Sequence, residues 1–269
     1  MCAVLNTSKS GYYKHLQRDA HISQIDSLCI EKVKQYKKVQ PYSGTVKMWK
    51  MLENEGLKIG RQHLNEVLRE NNMLVREKKR FCKTSLSDGS KVYPNRLKDI
   101  TVERENEVWI TEITYIPKDK GFYFLFLLSD MFTIQVIDYE VSSNLLTTNH
   151  INMLKRQLKY QCHKDSLIHH SDHGTQYTSN ETIGLLKKHG VEISMTGTGK
   201  CYDNPIAERI NGIFKQEFGL NRTFDTLETL TKVVKSAVTV YNSQRLHQSL
   251  GYLTPNDFAS KMIKDRNTH

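Results

Sequence analysis

The chain has 269 residues, 38% of them hydrophobic, and its 39 Lys and Arg against 29 Asp and Glu give a formal net charge of +10. That length makes one large or two modest domains with a real core, which excludes a disordered chain, and the positive balance asks for a polyanionic partner, nucleic acid or an anionic membrane surface. No apolar run approaches the roughly 18–20 residues of a membrane span, and the five cysteines, at 2, 29, 82, 162 and 201 with no CxxC, support neither a disulfide framework nor a zinc knuckle.

MCAVLNTSKS lacks the apolar stretch of a signal peptide. The expectation is a reduced, intracellular protein that binds nucleic acid. Residues 1–75 are predicted helical, with a helix end or turn near Gly11. Two helices follow over 44–74, one with a stripe of Val46, Trp49 and Leu52, the other with Leu64, Val67, Leu68 and Leu74. Gly56 and Gly60 flank the turn between them. Two short helices around a glycine turn fit a helix-turn-helix; an ordinary αα-hairpin fits equally. Residues 76–100 form a basic linker with eight Lys and Arg against three Asp and Glu, half of the chain's net charge. Such a run is either a solvated linker or a phosphate contact.

From 107 the periodicity changes to strands. EVWITEITYIP alternates, with Trp109, Thr111, Ile113 and Tyr115 on one face and Ile110, Glu112, Thr114 and Ile116 on the other. KDKG at 118–121 reads as a turn. Residues 122–130 and 132–141 read as two more strands, 144–160 as a helix, and DSLIHH as a short buried strand. SNETIGLLKKHG is a helix with Ser179 or Asn180 as cap and Gly190 at its end. VEISM is a fifth strand, and TGTGKCYDN a flexible loop. A helix from Asp203 or Asn204 to about 217, with Pro205 in its first turn, and a last one over 226–243 complete the order. Strands joined by hairpins and then by αβ crossovers make an α/β fold, a mixed sheet with helices on both faces.

Three acidic residues stand out. Glu112 shares a strand face with Ile110, Thr114 and Ile116, where a lone carboxylate is costly unless it meets a metal or another cation; the alternative is a surface acid on an edge strand. Asp172, in HHSDHGTQYTS, follows a buried strand, and sites gather at such carboxyl ends; the alternative is a turn residue. Glu208 lies opposite the apolar face of Ile206, Ile210, Ile213 and Phe214, on a stripe with Asn211, Gly212 and Lys215 suited to approach by DNA; the alternative is a solvated helix face. Together, one carboxylate each from a strand, a strand end and a helix suits a two-metal phosphoryl-transfer site holding Mg²⁺, a cation that takes hard oxygen ligands. Imidazole suits Mg²⁺ poorly, so His169, His170 and His173 are expected to pack or to contact DNA.

The motifs VWITEITYI, HHSDHGTQYTS, GKCYDNPIAERINGIFKQE and YNSQRLHQSLGYLTPNDF, with 35 residues between Asp172 and Glu208 and a Lys seven residues beyond Glu208, carry a resemblance. The chain resembles the OrfB part of insertion-sequence transposases of the retroviral-integrase-like DDE type, from SKSGYY almost to the end and most strongly over 107–258. The resemblance implies a ribonuclease H-like core with a mixed five-stranded sheet flanked by helices, after a small helix-turn-helix-like region. It implies Mg²⁺-dependent strand cleavage and strand transfer at transposon ends, with Mn²⁺ able to substitute. Glu112, Asp172 and Glu208 become the catalytic and metal-binding acids, and Lys215 the base that contacts DNA near the reactive end. Asn211, Arg209, Arg245, His247, Lys78, Lys79 and Arg80 join it as DNA contacts. Tyr202 and Asn204 belong to the motif before Glu208. Tyr241, Asn242, Arg245 and His247 form the C-terminal motif, for packing and phosphate contact. The implied organisation is a DNA-binding region over 1–75, the linker over 76–100, a catalytic core over 101–262 and a tail over 263–269. DNA, further copies of the chain and an OrfA-type partner or fusion are the implied partners, in a bacterial cytoplasm without membrane attachment.

Where the family has Asp at the first acidic position, this chain has Glu112, and the extra methylene moves the carboxylate by roughly 1.5 Å, about one C–C bond. Metal sites tolerate misplacement of about 0.5 Å. The alternative function is therefore a catalytically impaired DNA-binding remnant that acts as an inhibitor. PYSGTVKMW also replaces the Tyr-Gly and following arginines of relatives, which leaves Lys47, Lys50 and Arg61 to grip DNA there.

Overall fold

The computed structural model describes residues 9–75, 93–98, 100–160, 167–196 and 204–267, with side chains from 24 to 265 within those runs. The chain divides into two compact units, Met1–Lys78 and Lys79–His269.

The first unit holds three helices, α1 (Lys9–Val39), α2 (Thr45–Asn54) and α3 (Arg61–Glu70). Their core is Cys29, Val33, Tyr36, Met48, Leu52, Ile59, Leu64 and Leu68. The described part of α1 begins at Lys9, with Gly11 in its first turn. One sequence expectation is corrected. Val46 is exposed and Met48 takes the buried position, because α2 starts at Thr45 and its phase turns Met48 and Leu52 inward. In the turn before α3, Gly56 has φ +82°, a conformation that favours glycine, and Trp49 Nε1 donates to Ile59 O at 2.8 Å.

The second unit is built on a five-stranded sheet in the order β3-β2-β1-β4-β5. Its strands are β1 (Val108–Pro117), β2 (Phe122–Asp130), β3 (Val136–Ser142), β4 (Ile168–Ser171) and β5 (Glu192–Met195). The first three pair antiparallel, and β1–β4 and β4–β5 pair parallel. Its helices are α4 (Thr147–Leu158), α5 (Thr175–Thr178), α6 (Asn180–Lys188), α7 (Pro205–Gln216), α8 (Leu227–Ser243) and α9 (Pro255–Asn267). The mixed five-stranded sheet and its flanking helices are the architecture expected from the sequence.

The two faces of β1 carry the two cores. Val108, Ile110 and Ile116, with Leu125 and Leu127 of β2, pack against Ile210, Ile213 and Phe214 of α7 and Leu230, Val234 and Tyr241 of α8. Trp109, with Phe126 and Leu128, packs against Met153, Leu154 and Leu158 of α4 and Ile183 and Leu186 of α6. The period-two pattern read from EVWITEITYIP therefore separates the layers.

The caps follow the sequence. Ser179 accepts from Thr182 N, and Asn204 accepts from Ala207 N with Pro205 in the first turn. Other expectations shift. β3 begins at Val136 rather than 132, because the Asp130 carboxylate accepts from both Thr133 N and Thr133 Oγ1 at 2.8 Å and holds residues 131–135 as a turn. α9 was not expected. The hydroxyl of Thr254, just before it, accepts from Asp257 N and donates to Asp257 Oδ2 at 2.6 Å. α9 continues past 262, where the sequence suggested a tail. Residues 93–98, placed in the linker by charge, pack on the edge strand β5: Met195 N donates to Pro94 O, Arg96 N to Ser194 Oγ, and Arg96 pairs with Glu192.

Candidate active site

β1 is the middle strand of the sheet, so Glu112 is not an edge-strand acid. It is half-buried on the face that packs against α7 and α8. Asp172 lies at the carboxyl end of β4. The parallel register pairs Val108 with Ile168, Trp109 with His169 and Ile110 with His170. The paired residues end at Ile110 and His170, two short of Glu112 and Asp172. Asp172 Oδ1 accepts from Gly174 N at 2.8 Å, so the carboxylate also shapes the turn into α5.

Glu208 occupies the first turn of α7, where the helix dipole favours a carboxylate. The stripe of Glu208, Asn211, Gly212 and Lys215 is not turned to solvent: three of its members are half-buried, and Asn211 is buried at 9% exposure. Burial lowers the Lys215 pKa, opposed by the nearby negative charge of Glu112. Lys215 thus stands within electrostatic reach of the first acid. Tyr177 is buried beneath the same region, and its phenol is pushed well up, first by burial and then by Asp172 and Glu112.

Several expected DNA contacts change place. Asn211, expected on a DNA-facing stripe, is buried, and its Oδ1 has no hydrogen-bond partner among the described residues. Arg245 is 2% exposed and His247 5%. The Arg245 guanidinium grips Glu217, Nε to Oε2 at 3.0 Å and Nη2 to Oε1 at 2.8 Å. A phosphate contact by Arg245 or His247 is corrected to packing, because the charge is already spent inside the protein. Their motif neighbours act alike: Tyr241 Oη donates to Ile134 O at 3.0 Å, and Asn242 exchanges two hydrogen bonds with the Val136 backbone. Arg209 is exposed. Lys78, Lys79, Arg80 and Tyr202 lie outside the described residues.

Two models described as "Integrase core domain" match residues 102–201 and 189–255, together more than half of the chain. The chain belongs to the integrase-type transposases of insertion sequences. Over 267 residues it is 29% identical to "Insertion element IS600 uncharacterized 31 kDa protein" of Shigella sonnei, covering 97% of this chain and 98% of that protein. It is 27% identical over 265 residues to the transposase for insertion sequence element IS629 of Shigella sonnei, covering 95% and 88%. Among solved structures it is similar to the HTLV-2 integrase catalytic core domain in complex with magnesium, with 16% identity, coverage of 58% of this chain and 97% of that one, and a TM-score of 0.45.

Transposases of this family act in DNA transposition, and the acids of this one suit a hard divalent cation in kind, since all three offer carboxylate oxygens. In placement, Glu112 and Asp172 both bear on the Tyr177 phenol, and Glu208 stands on a helix packed against β1. Among the described residues, no group of three or more His, Cys, Asp or Glu is arranged to hold a metal ion. The histidines do not fill the gap. His169 and His170 are fully buried, His169 beside Thr111 and His170 bonded to Ser194. Burial takes the His169 pKa down to about 3. His173 Nε2 meets Thr196 O at 2.5 Å and ties the end of β4 to the residue after β5.

Sequence reasoning missed the roles of three neighbours of the site. His150 is fully buried against Tyr177 and His169, and both of its ring nitrogens lack a partner among the described residues. Nothing local in the helix 147–158 marks it. Gly174 and Tyr177 were inside the motif that flagged Asp172, and only the side-chain packing separates their roles.

Proposed function

We propose that this chain carries out divalent-metal-dependent cleavage and strand transfer at the ends of its insertion sequence, with Glu112, Asp172 and Glu208 as the acidic set. The observation that carries the proposal is that Glu112 on β1 and Asp172 just past β4, two strands paired in parallel, both stand close enough to the buried Tyr177 phenol to act on its charge. The stripe of Glu208 and Lys215 on α7 supports it from the facing layer. Mg²⁺, or Mn²⁺ in its place, would supply Lewis acidity and a more acidic attacking water or 3′-hydroxyl. The three acids would hold that cation. Lys215 would neutralise a phosphate near the reacting end, and Arg209 and the basic run Lys78, Lys79 and Arg80 would add phosphate contacts. Two transposon ends must be brought together, which calls for more than one copy of the chain.

A second reading is favoured by one residue. Glu112 carries a methylene more than the family's Asp and lies in the field of Lys215, so the acid can be drawn away from its neighbour. In that case the protein binds DNA ends and competes with active copies. The test is cleavage of a duplex bearing the element's own ends by the full chain in Mg²⁺ and in Mn²⁺. Asp172→Asn and Glu208→Gln should each lower cleavage by about a hundredfold or more with DNA affinity kept. Glu112→Asp should raise it. Wild-type cleavage by Asp172→Asn would end the catalytic proposal; a silent wild type revived by Glu112→Asp would establish the impaired copy.

A further inference from the structure

Gly174 has φ −59° and ψ 145°, a conformation open to any residue, so its backbone does not explain a glycine there. Space does. A Cβ at this position would lie 3.0 Å from Asp172 Oδ1, 3.2 Å from Tyr177 Cδ2 and 3.4 Å from Tyr177 Cε2. Those contacts are tight enough that a neighbour must give way, and the surroundings decide which one. The Gly174 peptide is held from both sides: its N–H donates to Asp172 Oδ1, and its carbonyl accepts from Tyr177 N, Thr178 N and Thr178 Oγ1. The Tyr177 ring is 3% exposed and meets the His150 ring edge-on at 4.9 Å. Only the Asp172 carboxylate is half-exposed at the end of a short side chain. It is the group that would move.

We propose that Gly174 and Tyr177 form the seat that positions the Asp172 carboxylate: the ring is the floor, the glycine N–H the fixing donor, and the missing Cβ the space in which Oδ1 rests. Both are positioning residues, and the inference rests on the reading of Asp172 as a metal ligand. It joins Asp172, Gly174 and Tyr177 of HHSDHGTQYTS into one unit.

The test is Mn²⁺ binding to the full chain, followed by electron paramagnetic resonance, beside a thermal melt. A methyl at 174 displaces the carboxylate by a few tenths of an ångström. Disturbing a group that orients a metal ligand costs about 10–100-fold in metal affinity, so Gly174→Ala should weaken Mn²⁺ binding by about tenfold with the melt unchanged. If Gly174→Ala fails to fold, Gly174→Ala/Tyr177→Leu gives the methyl room on the ring side and keeps the contact with Asp172, so the loss should persist. Wild-type Mn²⁺ affinity in the folded alanine variant, single or double, overturns the seat. Asp172→Asn is measured in parallel. If it too binds Mn²⁺ like the wild type, the reading of Asp172 fails; if it alone loses Mn²⁺, only the seat fails.

Discussion

Replacing Glu217 by Gln should destabilise the second unit more than replacing Arg245 by Met, although both break the same pair. The Arg245 side chain is 2% exposed and the Glu217 side chain 15%. Breaking a buried pair by removing one partner costs about 3–5 kcal/mol, because the other charge is left uncompensated. In Glu217→Gln the stranded charge is the guanidinium, which water cannot reach, so the cost sits at the upper end, about 4–5 kcal/mol. In Arg245→Met the stranded carboxylate can recruit water through its exposed edge, and the methionine keeps much of the arginine stem's packing; about 2–3 kcal/mol is expected. For a unit of this size about 1 kcal/mol moves the Tm by 2–4 °C. Calorimetric melts should therefore fall by about 8–20 °C for Glu217→Gln and by about half that for Arg245→Met. The double variant Arg245→Met/Glu217→Leu should recover most of the loss. DNA affinity of folded Arg245→Met, measured well below its melt, should match the wild type. An Arg245→Met chain that melts like the wild type but loses DNA would refute the reasoning and return Arg245 to the phosphate contacts.

Two further outcomes follow from the buried charges. His150 is pushed well below its ordinary pKa, first by burial and then by His169, and His169 is taken down to about 3. The unfolded chain therefore binds more protons than the folded one below about pH 6.5. Stability is whole above that pH and falls as the pH drops, by about 1.4 kcal/mol per unit for each such histidine. Urea titrations at pH 7 and pH 5 should show His150→Leu losing less on acidification than the wild type; an equal loss would mean that His150 is not held neutral. Lys215→Gln should weaken DNA binding and reduce the slope of log affinity against log salt by about 0.9, one phosphate contact, and an unchanged slope would place Lys215 off the duplex.

Much of the fold was legible because its signals are local. The alternation in β1, the Ser179 and Asn204 caps and the proline at the start of α7 all lie within a few residues of what they specify. The exceptions share a cause. Whether Glu112 sat on an edge or a central strand depended on strand order, which no window of sequence contains. The helical phase put Asn211 with Glu208 and Lys215, as observed, but the direction of that stripe depended on where α7 packs. Arg245 looked like a phosphate ligand because its partner, Glu217, is 28 residues away. The turn that delays β3 was set by the Asp130 side chain against a run of strand-forming residues. α9 could have been read from Thr254, Pro255 and Asp257, which together make a helix start.

The three acids are not anchored alike. Glu112 stands on the central strand and Asp172 directly follows a strand paired with it, a frame that side-chain changes scarcely alter. Glu208 stands on α7, which meets the sheet through apolar side chains such as Ile210, Ile213 and Phe214. The proposed site is thus a fixed jaw and an adjustable one, and the volume of the side chains beneath α7 would set the gap between them more than a change within the sheet would.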